Sequence, residues 1–229
     1  EEIIFVVAHD KAEVFNHFLR FDASDLSEEF QDFSFTKLHE SVQLRACVQE
    51  SPKGLGDAIL CAAPLVGERD FVILLPDEVL MQNGTALLME HYPSILLMEV
   101  SYEERKFYGM VAGSNCEETG LFKLNDLVEK PEPSQSPSSL AVTGRYCLNS
   151  KIFDYLRSQA PGKNGEIQLT DALRRFCKDY PLYGVVYSGK RHDVGQPFGL
   201  LTASLEFALR DPLASKQARA SILNILEEY

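Results

Sequence analysis

Residues 3–8 (IIFVVA) form an unbroken apolar run rich in β-branched side chains. No polar alternation gives this run a wet face, so it reads as a strand covered on both sides, the pattern of a parallel sheet held between helices. Residues 71–75 (FVILL) repeat the pattern and are stopped by Pro76, and residues 95–100 read as another strand. Helical stretches fall between them. Asp10 is positioned to cap a helix carrying Val14, Phe15 and Phe18, while residues 57–63 read as helix and residues 86–90 as a short one. Strand followed by helix, repeated, indicates βαβ units and an α/β fold.

The remaining segments fill in this frame. Residues 22–40 are acidic and carry Phe30, Phe33 and Phe35 without a clean period, so they read as mixed loop and short helix. Val42, Leu44, Ala46 and Val48 alternate as a strand, and residues 49–56 form a Gly/Pro turn. From Tyr108 to Leu148 several strands are interrupted by polar residues, among them a Pro/Ser-rich connection at 131–139. Ser150 is placed to cap a helix with Ile152, Phe153 and Leu156, Thr170 to cap another running through Phe176, and residues 182–187 are strand-like. Residues 197–229 are expected to be a helical segment closing a single domain. At 229 residues and 45% hydrophobic, such a chain buries roughly 70 to 75% of its unfolded surface. With no initiator methionine before Glu1 and a core strand starting two residues in, a further segment is expected upstream.

Charge narrows the partners. A formal net charge of -12 and a pI near 4.9 set the whole-molecule field against nucleic acid and anionic membrane. A phosphate ligand must therefore meet local cations or a metal. The five cysteines, Cys47, Cys61, Cys116, Cys147 and Cys177, are scattered and contain no CxxC pair, which argues against a disulfide framework and a zinc site and fits a reducing cytoplasm. No apolar run approaches the roughly 18 residues of a membrane span. In the tail, Leu213, Ile222, Leu223 and Ile225 permit a homo-oligomer contact, and packing on the same domain explains them equally well.

A few short runs carry chemistry. Leu74-Leu75-Pro76-Asp77 puts a carboxylate just beyond the carboxyl end of a strand, the edge where open sheets bind ligands. Asp77 there suits Mg²⁺, a cation that takes oxygen ligands and keeps substrate phosphates, and it equally suits a turn. His192-Asp193-Val194-Gly195 offers a second strand-end aspartate, or another turn. His192 is more readily a core or surface histidine than a ligand. Glu129-Lys130-Pro131 sets a carboxylate beside an ammonium, pointing apart if the strand is regular; the pair serves sugar hydroxyls and a phosphate, or is an exposed ion pair. Gly54-Leu55-Gly56-Asp57 leads into a helix with backbone N–H groups open to a ligand, yet it is no Walker A or GxGxxG loop. No hydrolase motif is present.

Taken in order, Gln49 to Ala58 (QESPKGLGDA), Leu74 to Asp77, Glu129 to Pro131, Thr143-Gly144-Arg145-Tyr146, Gly165 to Ala172 (GEIQLTDA) and Gly189 to Gly195 (GKRHDVG) resemble the bacterial UTP:glucose-1-phosphate uridylyltransferases, over about residues 3–212. The resemblance implies a Rossmann-like mixed, mainly parallel sheet flanked by helices. It further implies transfer of a uridylyl group from UTP to glucose 1-phosphate, giving UDP-glucose and pyrophosphate.

Under that resemblance Gln49 matches the glutamine that reads uracil and Gly54 a glycine whose backbone faces the base. Asp77 and Asp193 match the Mg²⁺ ligands, Gly109 and Gly144 backbone contacts to the sugar, Glu129 the carboxylate on sugar hydroxyls and Lys130 the lysine on the sugar phosphate. Catalysis is expected to rest on Lys130 and Asp77. Two departures stand out: Asp57 occupies a position where the family usually has histidine, and the GxGTRxxP triphosphate loop expected before Ile3 is absent. Alternatives are a thymidylyl- or other hexose-1-phosphate nucleotidyltransferase, and a non-catalytic nucleotide-sugar binding domain.

Overall fold

The computed structural model describes residues 1–11, 13–14, 42–118, 120–162 and 165–228. The expected helix at Val14, Phe15 and Phe18 and the acidic stretch 22–40 fall mostly outside them. The first apolar run forms β1 (Glu2–Ala8), which pairs in parallel with β2 (Gln43–Gln49), Ile3 opposite Leu44 and Val7 opposite Val48. Gly54, at φ 97°, turns the chain into α1 (Leu55–Val66). In α1 the residues Ile59, Ala62, Ala63 and Val66 are buried, a spacing that lines up one helix face for the core. Gly67, at φ 66°, ends α1 with its N–H on the Ala63 carbonyl.

A six-stranded sheet makes the body. It is ordered β3 (Phe71–Leu74), β8 (Leu140–Leu148), β5 (Ser94–Glu99), β9 (Tyr183–Val186), β7 (Leu121–Glu129) and β6 (Gly109–Asn115). Neighbours are antiparallel except β5 and β9, yet β3, β5, β6 and β9 share one direction and only β7 and β8 reverse it. A separate antiparallel pair, β4 (Glu78–Leu80) with β10 (Arg191–Asp193), has no counterpart in the sequence reading. Three residues each are too few to show a period.

Helices α2 (Gly84–Glu90), α3 (Ile152–Arg157) and α4 (Leu169–Asp179) supply the cover. Thr170 is no cap, because α4 begins at Leu169, and its hydroxyl serves elsewhere. Phe176, Leu173 and Leu156 are essentially inaccessible and join Ile95, Leu97 and Leu127 in the main core, each burial contributing about 1.5 to 3 kcal/mol. Phe153 of α3 stacks on Phe71, ring centroids 5.2 Å apart. The tail is helical as α5 (Pro197–Arg210) and α6 (Ser215–Glu228), broken at Asp211-Pro212, and α6 leaves Leu223, Ile225 and Leu226 exposed. No described helix is long and apolar enough to cross a membrane. The five cysteines are free thiols.

Register places the site. Ala141 pairs with Met98 on one side and with Met110 on the other, so the start of β6 lies level with the carboxyl end of β5. The segment after β3 turns over the same edge, the Leu75 N–H donating to the Gly144 carbonyl at 3.1 Å.

Candidate functional site

The small β4–β10 ladder joins two acids that are far apart in sequence. Glu78 pairs with Asp193 and Leu80 with Arg191, while Asp77 stands one residue before β4. The Val194 N–H donates to the Asp77 carbonyl at 2.8 Å, and the Gly195 N–H to Asp193 Oδ1 at 3.1 Å. A Cβ on Gly195 would stand 3.2 Å from Asp193 Oδ1 and 3.4 Å from Asp77 Oδ2. Both carboxylates thus border one small space that glycine keeps open. Among the described residues no group of three or more His, Cys, Asp or Glu side chains is placed to hold a metal. Two carboxylates alone fit a hard divalent cation that completes its shell with water and ligand phosphates.

Sequence reasoning missed the support beneath them. Arg191 holds Glu78 through both carboxylate oxygens, Nη2 to Oε1 at 2.5 Å and Nε to Oε2, and only 12% and 10% of the two side chains is exposed. Burial, reinforced by Asp77 and Asp193, raises the Glu78 carboxyl against the pull of Arg191. Burial also works against the Arg191 charge, but hydrogen bonds to Glu78 and Tyr108 outweigh it and keep the guanidinium protonated. Its remaining nitrogen donates to the Tyr108 hydroxyl at 3.2 Å, with the guanidinium 5.1 Å over that ring. Arg191→Met leaves Glu78 buried without its partner and is expected to cost about 3 to 5 kcal/mol. A carboxyl whose folded pKa is raised binds its proton more tightly in the native state, so stability falls as pH rises past the unfolded value. The deficit should therefore widen from acid to alkaline pH in denaturant titrations.

Tyr108 also reaches the Glu129–Lys130 pair. Its carbonyl accepts the Lys130 N–H at 3.1 Å. Lys130 has φ 42°, in the left-handed region that non-glycine residues seldom occupy. Strand alternation ends at Glu129, so the two side chains do not diverge as a regular strand requires: Lys130 Nζ is 3.7 Å from Glu129 Oε1. The other Glu129 oxygen accepts the Thr170 hydroxyl at 2.6 Å. A Cβ on Gly109 would sit 3.3 Å from both Glu129 Oε2 and Thr170 Oγ1. Gly109→Ala is therefore expected to push Glu129 aside by a few tenths of an ångström and to raise KM for a ligand held by that carboxylate about tenfold, with little change in Tm.

The third group lies around Gln49. Its Nε2 donates to Asp57 Oδ2 at 2.7 Å and to the Gly54 carbonyl at 3.2 Å. The GEIQLTDA run packs directly on this loop, with the Gly56 N–H on the Ile167 carbonyl at 2.8 Å and the Ile167 N–H on the Lys53 carbonyl at 2.7 Å. Gly54 has to be glycine, since its φ is positive and a Cβ would stand 2.9 Å from the Ile167 carbonyl. Gly144, at φ 76°, packs behind the aspartate segment, where a Cβ would meet Leu75 Cδ1 at 2.8 Å. The run from Ile167 to Thr170 thus joins the Gln49 loop to Glu129, and Tyr108 joins Lys130 to the aspartates through Arg191. His192 is buried, facing Glu206 at 3.0 Å and Thr202 at 3.4 Å, and so belongs to the scaffold.

Comparisons with known proteins concern the chain as a whole. The nucleotidyl transferase family model matches residues 1–209. A UTP–glucose-1-phosphate uridylyltransferase of Streptococcus pyogenes serotype M3 is 33% identical over 98% of this chain and 80% of its own length. One from Bacillus subtilis is 34% identical over 100% and 79%. Among solved structures, a UDP-glucose pyrophosphorylase complexed with UDP-glucose superposes with a TM-score of 0.82 at 30% identity, covering 92% of this chain and 82% of that one. A UTP-bound enzyme from Acinetobacter baumannii gives 0.80 at 28% identity, covering 97% and 82%.

Proposed function

The chain belongs to the nucleotidyl transferase family and, within it, to the UTP–glucose-1-phosphate uridylyltransferases, and we propose that it transfers the uridylyl group of UTP to glucose 1-phosphate. A phosphate oxygen of the sugar attacks the α-phosphorus of UTP, the bond to the β-phosphate breaks, and pyrophosphate leaves with the electron pair. The nucleophile is already anionic, so no side chain has to remove a proton. What the protein must supply is alignment and neutralisation of crowded negative charge.

The observation that supports this reading most strongly is the shared border of Asp77 and Asp193 at Gly195, tied through Arg191 and Tyr108 to the backbone of Lys130. We assign Asp77 and Asp193 as the residues that would hold Mg²⁺. When bound, that ion neutralises phosphate charge in the transition state. Lys130 steadies the attacking sugar phosphate as a point charge. Glu129, set by Thr170, accepts from sugar hydroxyls, and the backbone at Gly109 and Gly144 borders the sugar. Gln49 and Gly54 receive the uracil. We place the reaction in a reducing cytoplasm, in keeping with the five free thiols. The test is product formation: with UTP, glucose 1-phosphate and Mg²⁺ the protein should release pyrophosphate and UDP-glucose, faster than with dTTP, and chelation should stop it. UDP-glucose binding without Mg²⁺-dependent turnover would overturn the reading.

A further inference from the structure

We infer that Asp57 is the specificity-determining partner of Gln49, locking its side-chain amide so that a pyrimidine bearing an N3–H donor is accepted and one bearing an N3 acceptor is refused. This rests on the uridylyl-transfer reading only for the identity of the ligand, since the contact itself lies within the chain. A glutamine amide has two faces, an NH₂ that donates twice and an oxygen that accepts. Which face meets the ligand is undetermined unless something holds it.

Here two groups do. Nε2 donates to Asp57 Oδ2 at 2.7 Å and to the Gly54 carbonyl at 3.2 Å. A carbonyl only accepts, and an ionised carboxylate only accepts, so the face toward them has to be the NH₂. Both of its hydrogens are then engaged, and Oε1 is the face left for a base. An oxygen there takes the N3–H of uracil. Opposite the bare N3 of cytosine it sets lone pair against lone pair. The Gly54 carbonyl that shares the task is itself fixed, because it also accepts the Ala58 N–H at 3.2 Å in the first turn of α1. Asp57, in the same turn, is half-buried beside it. The histidine usual at this position in the resembled family would offer a ring nitrogen whose role changes with its tautomer. A carboxylate has no such ambiguity.

The contact is testable by equilibrium titration with UTP and with CTP, which needs no turnover. The wild type should bind UTP more tightly than CTP. In Asp57→Ala the ratio of the two dissociation constants should fall about tenfold, the size of one hydrogen bond's net contribution. Asp57→Asn, which retains an oxygen acceptor but adds a donor, should fall between the two. Both variants are read beside their Tm, because a general loosening weakens both nucleotides together and leaves the ratio in place. A ratio unchanged in Asp57→Ala overturns the proposal, and so does a wild type that binds UTP and CTP alike. A wild type that discriminates yet forms no UDP-glucose overturns the transferase reading and leaves this one standing.

Discussion

Asp193→Asn is expected to lower kcat/KM about 10²- to 10³-fold, the scale of one removed group that supports transition-state charge stabilisation, and, as a proposed holder of the ion, to raise the Mg²⁺ concentration needed for half-maximal rate. Asparagine retains the oxygen that accepts the Gly195 N–H, so the turn after β10 survives. The charge alone is lost. Because Asp193 helps push up the Glu78 carboxyl, its neutralisation eases a local repulsion, and Tm should stay level or rise. Activity and stability then move in opposite directions, as expected of a residue placed for chemistry rather than for folding. A rate loss accompanied by an equal fall in Tm, with the Mg²⁺ dependence unmoved, would return Asp193 to a turn residue.

Lys130→Ala should cost a similar 10²- to 10³-fold in turnover, and Lys130→Gly separates the charge from the backbone. With φ at 42°, any side chain at this position carries left-handed strain of about 1 kcal/mol, which glycine does not. Lys130→Gly should therefore be about 1 kcal/mol more stable than Lys130→Ala in denaturant titrations while being equally inactive. Strain held at a charged residue bordering a ligand site is a common companion of function. A loss of less than fivefold in Lys130→Ala would remove Lys130 from the transfer step.

Much of this was readable from residue patterns, and the reason differs between segments. Runs covered on both faces, such as Ile95 to Leu97, announce themselves because burial leaves only apolar residues. Asp77 was visible because it stands just past the apolar run 71–75 and its proline stop, Asp193 as an Asp-x-Gly signal beyond the run 182–187, and Gly54 because a glycine-flanked helix entry opens backbone N–H groups. What stayed hidden depends on partners distant in sequence. Glu78 and Arg191 are separated by more than a hundred positions, and nothing local marks Glu78, one acid after another, as the buried member of a bidentate pair. Thr170 looks like a helix cap and is instead a donor to Glu129. Lys130 follows a strand whose alternation predicts the wrong direction, since one left-handed residue cancels the pattern. The reversed strand β8, between β3 and β5, also escapes a reading built on βαβ repetition, because its direction is decided by pairing along its whole length.

The most direct test is a crystal structure of the protein with UDP-glucose and Mn²⁺, using the anomalous signal to locate the ion. The expected result is a single strong peak within coordination distance of both Asp77 and Asp193 and of a diphosphate oxygen, with Lys130 Nζ on the sugar-linked phosphate. A peak elsewhere, or a nucleotide sugar bound with Lys130 turned away from its phosphates, would contradict the assigned centre.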